Sequence, residues 1–244
     1  MKVSVCLVTC NGESFIERQL RSILSQTLLP DEIVLVDDFS NDNTIIIAKE
    51  ILAKSTINYN ILQNDTRLGI NRSFEKCLSS ASSDIIVISD QDDFWFNDRL
   101  LTIRANFLKQ PSSELVLVNA YIERDGVATK ESVSDYYPYT NSISLNFIKN
   151  RFTGCQMAIK RSLLVRLYPF PNDSICYYDH WISLFSVLRG LTTYIDLEQG
   201  YYCRHSSNVT DLSSSRSLIK LIIPRALLFF LVIKKYIFNG LYKV

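Results

Sequence analysis

The chain has 244 residues, 47% hydrophobic and 21% charged, which is enough to bury the core of a full α/β domain with or without an appendage. That balance excludes a disordered protein, and a formal net charge of +1 leaves no general basic field of the kind nonspecific nucleic-acid binding requires. The six cysteines, Cys6, Cys10, Cys77, Cys155, Cys176 and Cys203, contain no Cys-x-x-Cys pair, so they read as reduced, partly buried thiols rather than a zinc site. The chain enters a strand pattern at Val3 without a charged and apolar leader, and a reducing cytosol is the expected compartment.

Val3 to Val8 is a continuous apolar run that reads as a buried strand, and Ser14 to Ser25 then places Phe15, Ile16, Leu20, Ile23 and Leu24 near helical spacing. Ile33 to Val36 predicts a second strand and Thr44 to Leu52 a second helix. Asn58 to Leu62, Ile70 to Ser80 and Ile85 to Ile88 continue the alternation as strand, helix and strand. Such alternation implies a largely parallel central sheet flanked by helices. Asp98 to Leu108 reads as a further helix and Leu115 to Val118 as a further strand. From Asp125 to Asn141 the pattern dissolves into polar and tyrosine-rich sequence, which suits either a loop over a site or a surface excursion. Gly154 to Ile159 returns toward the sheet, Asp179 to Leu188 predicts an amphipathic helix, and Thr193 to Cys203 predicts paired strands.

Chemistry concentrates where strands end. The fourth strand runs into Asp90-Gln91-Asp92-Asp93, and three carboxylates so close together call for a counterion. Divalent Mg²⁺ is commonly shared between carboxylates and substrate phosphates. An EF-hand is excluded, because its glycine and distal glutamate are missing. The second strand also ends in acid, at Asp37-Asp38, and in a parallel sheet both ends share the rim where open α/β sheets bind ligands. Asn64, Arg67, Gly69 and Asn71 follow the third strand and could serve that rim as donors, or could simply cap loops.

The ordered set of motifs resembles family 2 glycosyltransferases of the GT-A fold, especially the bacterial rhamnosyltransferase-like branch. It comprises Val3 to Glu13, Ser22 to Thr27, Val36 to Thr44, Arg67 to Asn71 and Ser89 to Trp95, and the resemblance covers about residues 3 to 210. The resemblance implies a nucleotide-diphospho-sugar transferase fold and a nucleotide site built from Thr9, Asn11, Glu13, Asp38, Arg67, Asn71 and Asp90. It implies that Asp90 and Asp92 are the Asp-x-Asp pair holding Mn²⁺ or Mg²⁺ and the diphosphate, with Asp93 a third ligand candidate. Tyr202-Cys203-Arg204-His205 resembles the segment whose histidine lies near the metal, which makes His205 a further ligand candidate.

The same resemblance implies inversion by one direct displacement. Tyr178-Asp179-His180-Trp181 is similar to the family's acid-His-Trp element, so Asp179 would be the general base, although Asp179 also falls where a helix should start. The family more often has a histidine or second acid where this chain has Tyr178. Gly154, Cys155, His180 and Trp181 would line the cleft between donor and acceptor.

Residues 1–211 would form the catalytic domain and 212–244 a basic helical tail, since no acid follows Asp211 while Arg216, Lys220, Arg225, Lys234, Lys235 and Lys243 do. Pro224-Arg225 interrupts the apolar run, so a membrane-surface helix or kinked helix pair is expected from residue 216 to 244, rather than a span. A helix packed on the catalytic domain, or on a second copy in a homodimer, is the alternative. The expected activity moves a hexose or deoxyhexose from a dTDP- or UDP-linked donor to a growing, lipid-linked cell-surface glycan at the cytoplasmic face of the bacterial inner membrane. A sugar nucleotidyltransferase and an inactive scaffold of a glycan assembly complex are the competing readings. The first lacks a glycine-rich basic loop after the first strand, and the second is at odds with the intact Asp38, Asp90, Asp92 and Asp179.

Overall fold

A computed structural model gives the fold and describes residues 1–206, 208 and 218–241. The first half runs β1 (Val3–Thr9), α1 (Ile16–Leu24), β2 (Glu32–Asp37), α2 (Thr44–Leu52), β3 (Asn58–Gln63), α3 (Ile70–Ser80), β4 (Ile85–Ser89), β5 (Phe94–Trp95) and α4 (Arg99–Lys109). The second half runs β6 (Leu115–Arg124), β7 (Val127–Ser132), α5 (Val133–Tyr136), α6 (Ile143–Ile148), a 3₁₀ turn at Gly154–Gln156, β8 (Met157–Lys160), α7 (Arg161–Leu167), α8 (Tyr178–Leu188), β9 (Thr192–Arg204) and α9 (Leu218–Leu241).

One sheet carries the nine strands of the described residues in the order β3-β2-β1-β4-β8-β6-β9-β5, with β7 beside β6. The predicted parallel order holds across β3, β2, β1 and β4 and again between β6 and β9. β8 runs antiparallel between β4 and β6, and β5 and β7 are antiparallel additions, so the sheet as a whole is mixed. Strand alternation sorts the core into two layers. Val5, Leu7, Ile33, Leu35, Ile85 and Val87 pack with α1, α2 and α4, whereas Cys6, Val34, Val36, Ile86 and Ile88 pack with α3, α7, α8 and α9. Both layers are buried because helices cover both faces, which is why these strands read as unbroken apolar runs.

Two stretches differ from expectation. Thr193 to Cys203 is not a pair of strands but the body of the single strand β9, whose register against β6 shifts between Val118 and Tyr121. A bulge takes up the irregularity, so no turn is needed. Residues 125–141 are not merely loop: Asp125 (φ 47°) and Gly126 (φ 81°) make a tight hairpin between β6 and β7, and a Ser132/Asp135 capping box starts α5.

The described part of the tail forms one helix, α9, that runs through Pro224. Leu228 and Val232 sit in the same apolar layer as α8, Phe147 meets Phe229 edge-on at 5.9 Å, and Lys235 reaches the Tyr168 carbonyl. The helix therefore packs on the catalytic domain along one face. No described helix is long and apolar enough to cross a membrane. The expected junction at residues 211 and 212, together with Arg216 and Lys243, lies outside the described residues.

Candidate active site

The tips of β1, β2 and β3 stand level, with Thr9 paired to Asp37 and Asp37 to Gln63, so the segments that follow all emerge on one rim. Gln91, just past β4, joins this rim from within: its Oε1 accepts from Thr9 Oγ1 at 2.6 Å and from the Cys10 N–H at 2.9 Å. Gly12 packs tightly beside it, and a Cβ there, 2.3 Å from Gln91 Oε1, would displace that side chain. Asn11 and Glu13 bond across to the segment after β2. The Asn41 N–H donates to Asn11 Oδ1 at 2.9 Å, and the Asn43 N–H donates to Glu13 Oε2 at 2.9 Å. Asn11 takes a positive φ of 48° to do so.

Asp38 is buried at the floor of this rim. Its carboxylate accepts from Asn64 Nδ2 at 2.9 Å and from the N–H groups of Leu68 at 2.8 Å and Gly69 at 3.0 Å. A carboxylate has about four acceptor positions, so the clamp on the 64–69 loop leaves room for one more donor. Arg67 stays exposed on that loop and reaches Cys10, where its charge opposes the burial that pushes the thiol upward.

The acid cluster divides into two environments. Asp92 Oδ2 lies 3.0 Å from His205 Nε2 and accepts from Asn208 Nδ2 at 3.0 Å, while the His205 ring stacks on Phe15 at 4.2 Å. Burial raises the Asp92 pKa, and His205 works against that rise. Asp90 and Asp93 instead gather with the Cys155 thiol, their ligand atoms within 4.8 Å of one another. Asp93 Oδ1 accepts the Cys203 N–H at 3.1 Å, and among the described residues Oδ2 finds nothing beyond the weak Cys155 thiol. Burial and the charge of Asp92 lift Asp93 to about 7, with the fully buried Arg99 as a partial counterweight. Asp90 is pushed well above the carboxylate range by burial first, and then by Asp93, Asp92 and Asp179.

The influence of Asp179 on Asp90 brings the predicted base to the same site. Asp179 occupies the first turn of α8 and accepts the His180 N–H at 2.6 Å. Burial raises it to about 7, and the His180 N–H and the nearby Asn150 side chain hold it from rising further. A carboxyl poised near neutrality beside an acid cluster suits proton abstraction at physiological pH. Gly154 packs against the residue before Asp179, since a Cβ there would fall 2.1 Å from the Tyr178 hydroxyl.

Three predicted site residues lie behind the cleft instead of in it. Asn71 is fully buried: its Nδ2 donates to the carbonyls of Pro171 and Cys176 at 2.8 Å each, and its Oδ1 accepts the Tyr178 N–H at 2.7 Å. That fully buried amide has both its donors committed to tethering the start of α8 and none left for a nucleotide. Trp181 is a core residue whose Nε1 donates to the Leu167 carbonyl at 3.1 Å. His180 is buried as well, between the Asn146 carbonyl and Arg225. Conversely, Gln91, Asn150, Asp173 and Asn208 hold the site and were not singled out from sequence. Only Gln91, inside the acid motif, had a local signal.

A mixed, twisted sheet with acids along one strand-end rim and a second carboxylate at a facing helix start defines the architecture of a nucleotide-sugar transferase of the GT-A type. The chain belongs to glycosyl transferase family 2, whose profile matches residues 4–167. It is 27% identical over 223 residues to the dTDP-rhamnosyl transferase RfbG of Shigella flexneri, covering 83% of this chain and 72% of that protein. Two other curated relatives are matched over only 38% and 36% of their lengths. The crystal structure of S. aureus TarS with UDP-GlcNAc superposes with a TM-score of 0.71 at 20% identity, over 94% of this chain and 67% of TarS. Glucosyl-3-phosphoglycerate synthase from Mycobacterium tuberculosis, solved with Mn²⁺, UDP-glucose and glycerol 3-phosphate, superposes at 0.59 and 19% identity, over 96% and 79% of the two chains.

Proposed function

We propose that this chain transfers a hexose or deoxyhexose from a dTDP- or UDP-linked donor to a hydroxyl of a growing cell-surface glycan, with inversion at the anomeric carbon. One observation carries the reading. Asp90 lies within electrostatic reach both of the Asp92 and Asp93 carboxylates and of Asp179, a carboxyl raised to about 7. A donor diphosphate and an acceptor hydroxyl thus have separate acids waiting within one site.

The residues fit a divalent cation. Asp90 and Asp93 gathered with the Cys155 thiol, an Asp93 oxygen with almost no other partner, and the adjoining Asp92–His205 pair offer O, N and S donors, a mixture that suits Mn²⁺ better than Mg²⁺. Asp92 and His205 would hold it, with Asp90 and Asp93 close by, and when bound it offsets the charge of the departing nucleoside diphosphate. Asp38 keeps one acceptor position for a nucleobase N–H, and Arg67 stands exposed above it. Asp179 takes the proton of the acceptor hydroxyl as that oxygen attacks the anomeric carbon and the bond to the diphosphate breaks on the opposite side.

The relationship to a dTDP-rhamnosyl transferase supports a deoxyhexose donor, and the outer face of α9 supports a lipid-linked acceptor at the cytoplasmic leaflet. That face exposes Ile223, Phe230 and Ile237 at 72%, 63% and 55%, and no acid follows Asp211. A screen of dTDP- and UDP-sugars with Mn²⁺, read by nucleotide release and by NMR of the product anomer, tests the activity. Release with an inverted product is expected. No turnover of any donor, or retained configuration, overturns the proposal.

A further inference from the structure

His180 Nε2 lies 2.7 Å from the Asn146 carbonyl, and His180 Nδ1 lies 3.0 Å from the Arg225 guanidinium of α9. A carbonyl can only accept, so Nε2 carries the proton. A guanidinium can only donate, so Nδ1 presents its lone pair. The two bonds select one neutral tautomer, and burial, reinforced by the Arg225 charge, lowers the ring's pKa to about 3. The ring can neither turn nor take up a proton without losing a buried hydrogen bond.

This ring is the immediate neighbour of Asp179. The carboxylate accepts the His180 N–H at 2.6 Å, and the side chain of Asn150, just after α6, is near enough to draw its pKa down. Arg225 contacts the elements that carry both neighbours, because its second nitrogen donates to the Ile148 carbonyl at 3.1 Å, two residues before Asn150. A planar guanidinium spans two acceptors in a way that a lysine ammonium cannot reproduce. Leu228 and Val232, one and two turns further along α9, seat that helix in the core and fix where the guanidinium arrives.

We infer that Arg225 is a positioning residue for the general base: by bridging His180 and the end of α6, it sets the orientation of Asp179 toward the acceptor hydroxyl. The inference rests on the assignment of Asp179 as base in the proposed function. It makes the seated tail helix part of the catalytic arrangement, so transfer and tail docking rise and fall together. A misplacement of about 1 Å in a reacting group can cost about 10²-fold in rate, which sets the size of the effect.

The test uses full-length protein carrying Arg225→Ala, Arg225→Lys or Asp179→Asn, with transfer kcat and KM, donor affinity by calorimetry with Mn²⁺ and UDP, and Tm as readouts. Arg225→Ala is expected to lower kcat by about 10- to 100-fold with donor affinity unchanged, Arg225→Lys to recover part of the loss, and added guanidinium to rescue Arg225→Ala but not Asp179→Asn. An Arg225→Ala protein with normal kcat overturns the inference. So does one whose kcat, donor affinity and Tm all fall together without guanidinium rescue, which is the behaviour of a purely structural contact. If Arg225→Ala does not fold, Arg225→Gln, which keeps a donor but not the charged fork, is read by the same criteria. Full transfer by Asp179→Asn would instead remove the base assignment itself, whereas an inactive Asp179→Asn beside a fully active Arg225→Ala would reject the Arg225 role alone.

Discussion

Asp92 and Asp179 are both aspartates at the rim of the site, and their neighbours separate their chemistry. Burial raises both, but His205 pulls Asp92 back toward its ionised form, while Asp179 is lifted to about 7 with no cation among the causes. Asp92→Asn is therefore expected to abolish metal-dependent donor binding in a folded protein, a loss of at least about tenfold, or about 1.4 kcal/mol, in calorimetry with UDP and Mn²⁺. Unchanged affinity would defeat the ligand assignment. Asp179→Asn is expected to lose about 10² to 10⁴ in transfer while donor affinity stays normal. A base works deprotonated, so wild-type kcat measured at saturating Mn²⁺ and donor should fall as pH drops through about 7. The limb should survive metal saturation because burial, not the neighbouring acids, is the leading cause of the shift. The stability sign is opposite: the folded state keeps the Asp179 proton up to about 7 and the unfolded chain only to about 3.8, so the group costs stability increasingly as pH rises between them. Asp179→Asn should then melt a few degrees above the parent at pH values above 7, and a lower Tm there would refute the desolvation account.

Among the elements, the segment between α7 and α8 shows how the site is assembled from behind. Asp173 accepts the Ile70 and Asn71 N–H groups at 2.9 and 3.0 Å, capping α3, and Asn71 returns three side-chain bonds to the segment and to the start of α8. Asn71→Ala leaves two buried carbonyls and the Tyr178 N–H unpaired, so a destabilisation of about 2–4 kcal/mol in denaturant unfolding is expected, with transfer reduced more than donor binding. A stability loss under about 1 kcal/mol would mean water or backbone movement replaces the tether. The contrast with Asp38 explains what could be read in advance. Asp38 follows a buried apolar run, and the strand end itself announces the rim. Asn71 lies in an equally suggestive segment, yet its partners are about a hundred positions away, and spacing carries no record of which way an amide turns. The single long β9 was missed for a similar reason, since a bulge inside one strand and a turn between two look alike in sequence. The β6–β7 hairpin differs: its Asp125-Gly126 pair is a local turn signal that the sequence carries on its own.

At the scale of the whole molecule, α9 has apolar residues on two opposite faces, and among the described residues only one of those faces is covered. Leu228 and Val232 are buried against the domain, whereas Ile223, Phe230 and Ile237 recur every seven residues along the outside. A helix apolar on all sides needs cover on all sides, and the bases around it, including exposed Lys234, favour an anionic surface as that cover. Each basic residue near such a surface contributes about 1 kcal/mol, and buried side chains of this size add roughly 1.5–3 kcal/mol apiece. Deleting the tail is a poor test, because it also removes the Leu228 and Val232 packing and the Arg225 contact with His180. Replacing Phe230 and Ile237 together with glutamate changes the outer face alone. That double variant is expected to stay in the supernatant when sedimented with phosphatidylglycerol-rich vesicles, while the parent pellets and is partly released by high salt. Its donor affinity and its transfer to a water-soluble acceptor should match the parent. Equal pelleting of the two proteins would show that the outer face does not contact lipid, and loss of soluble transfer as well would show that the substitutions unseated α9 from the domain.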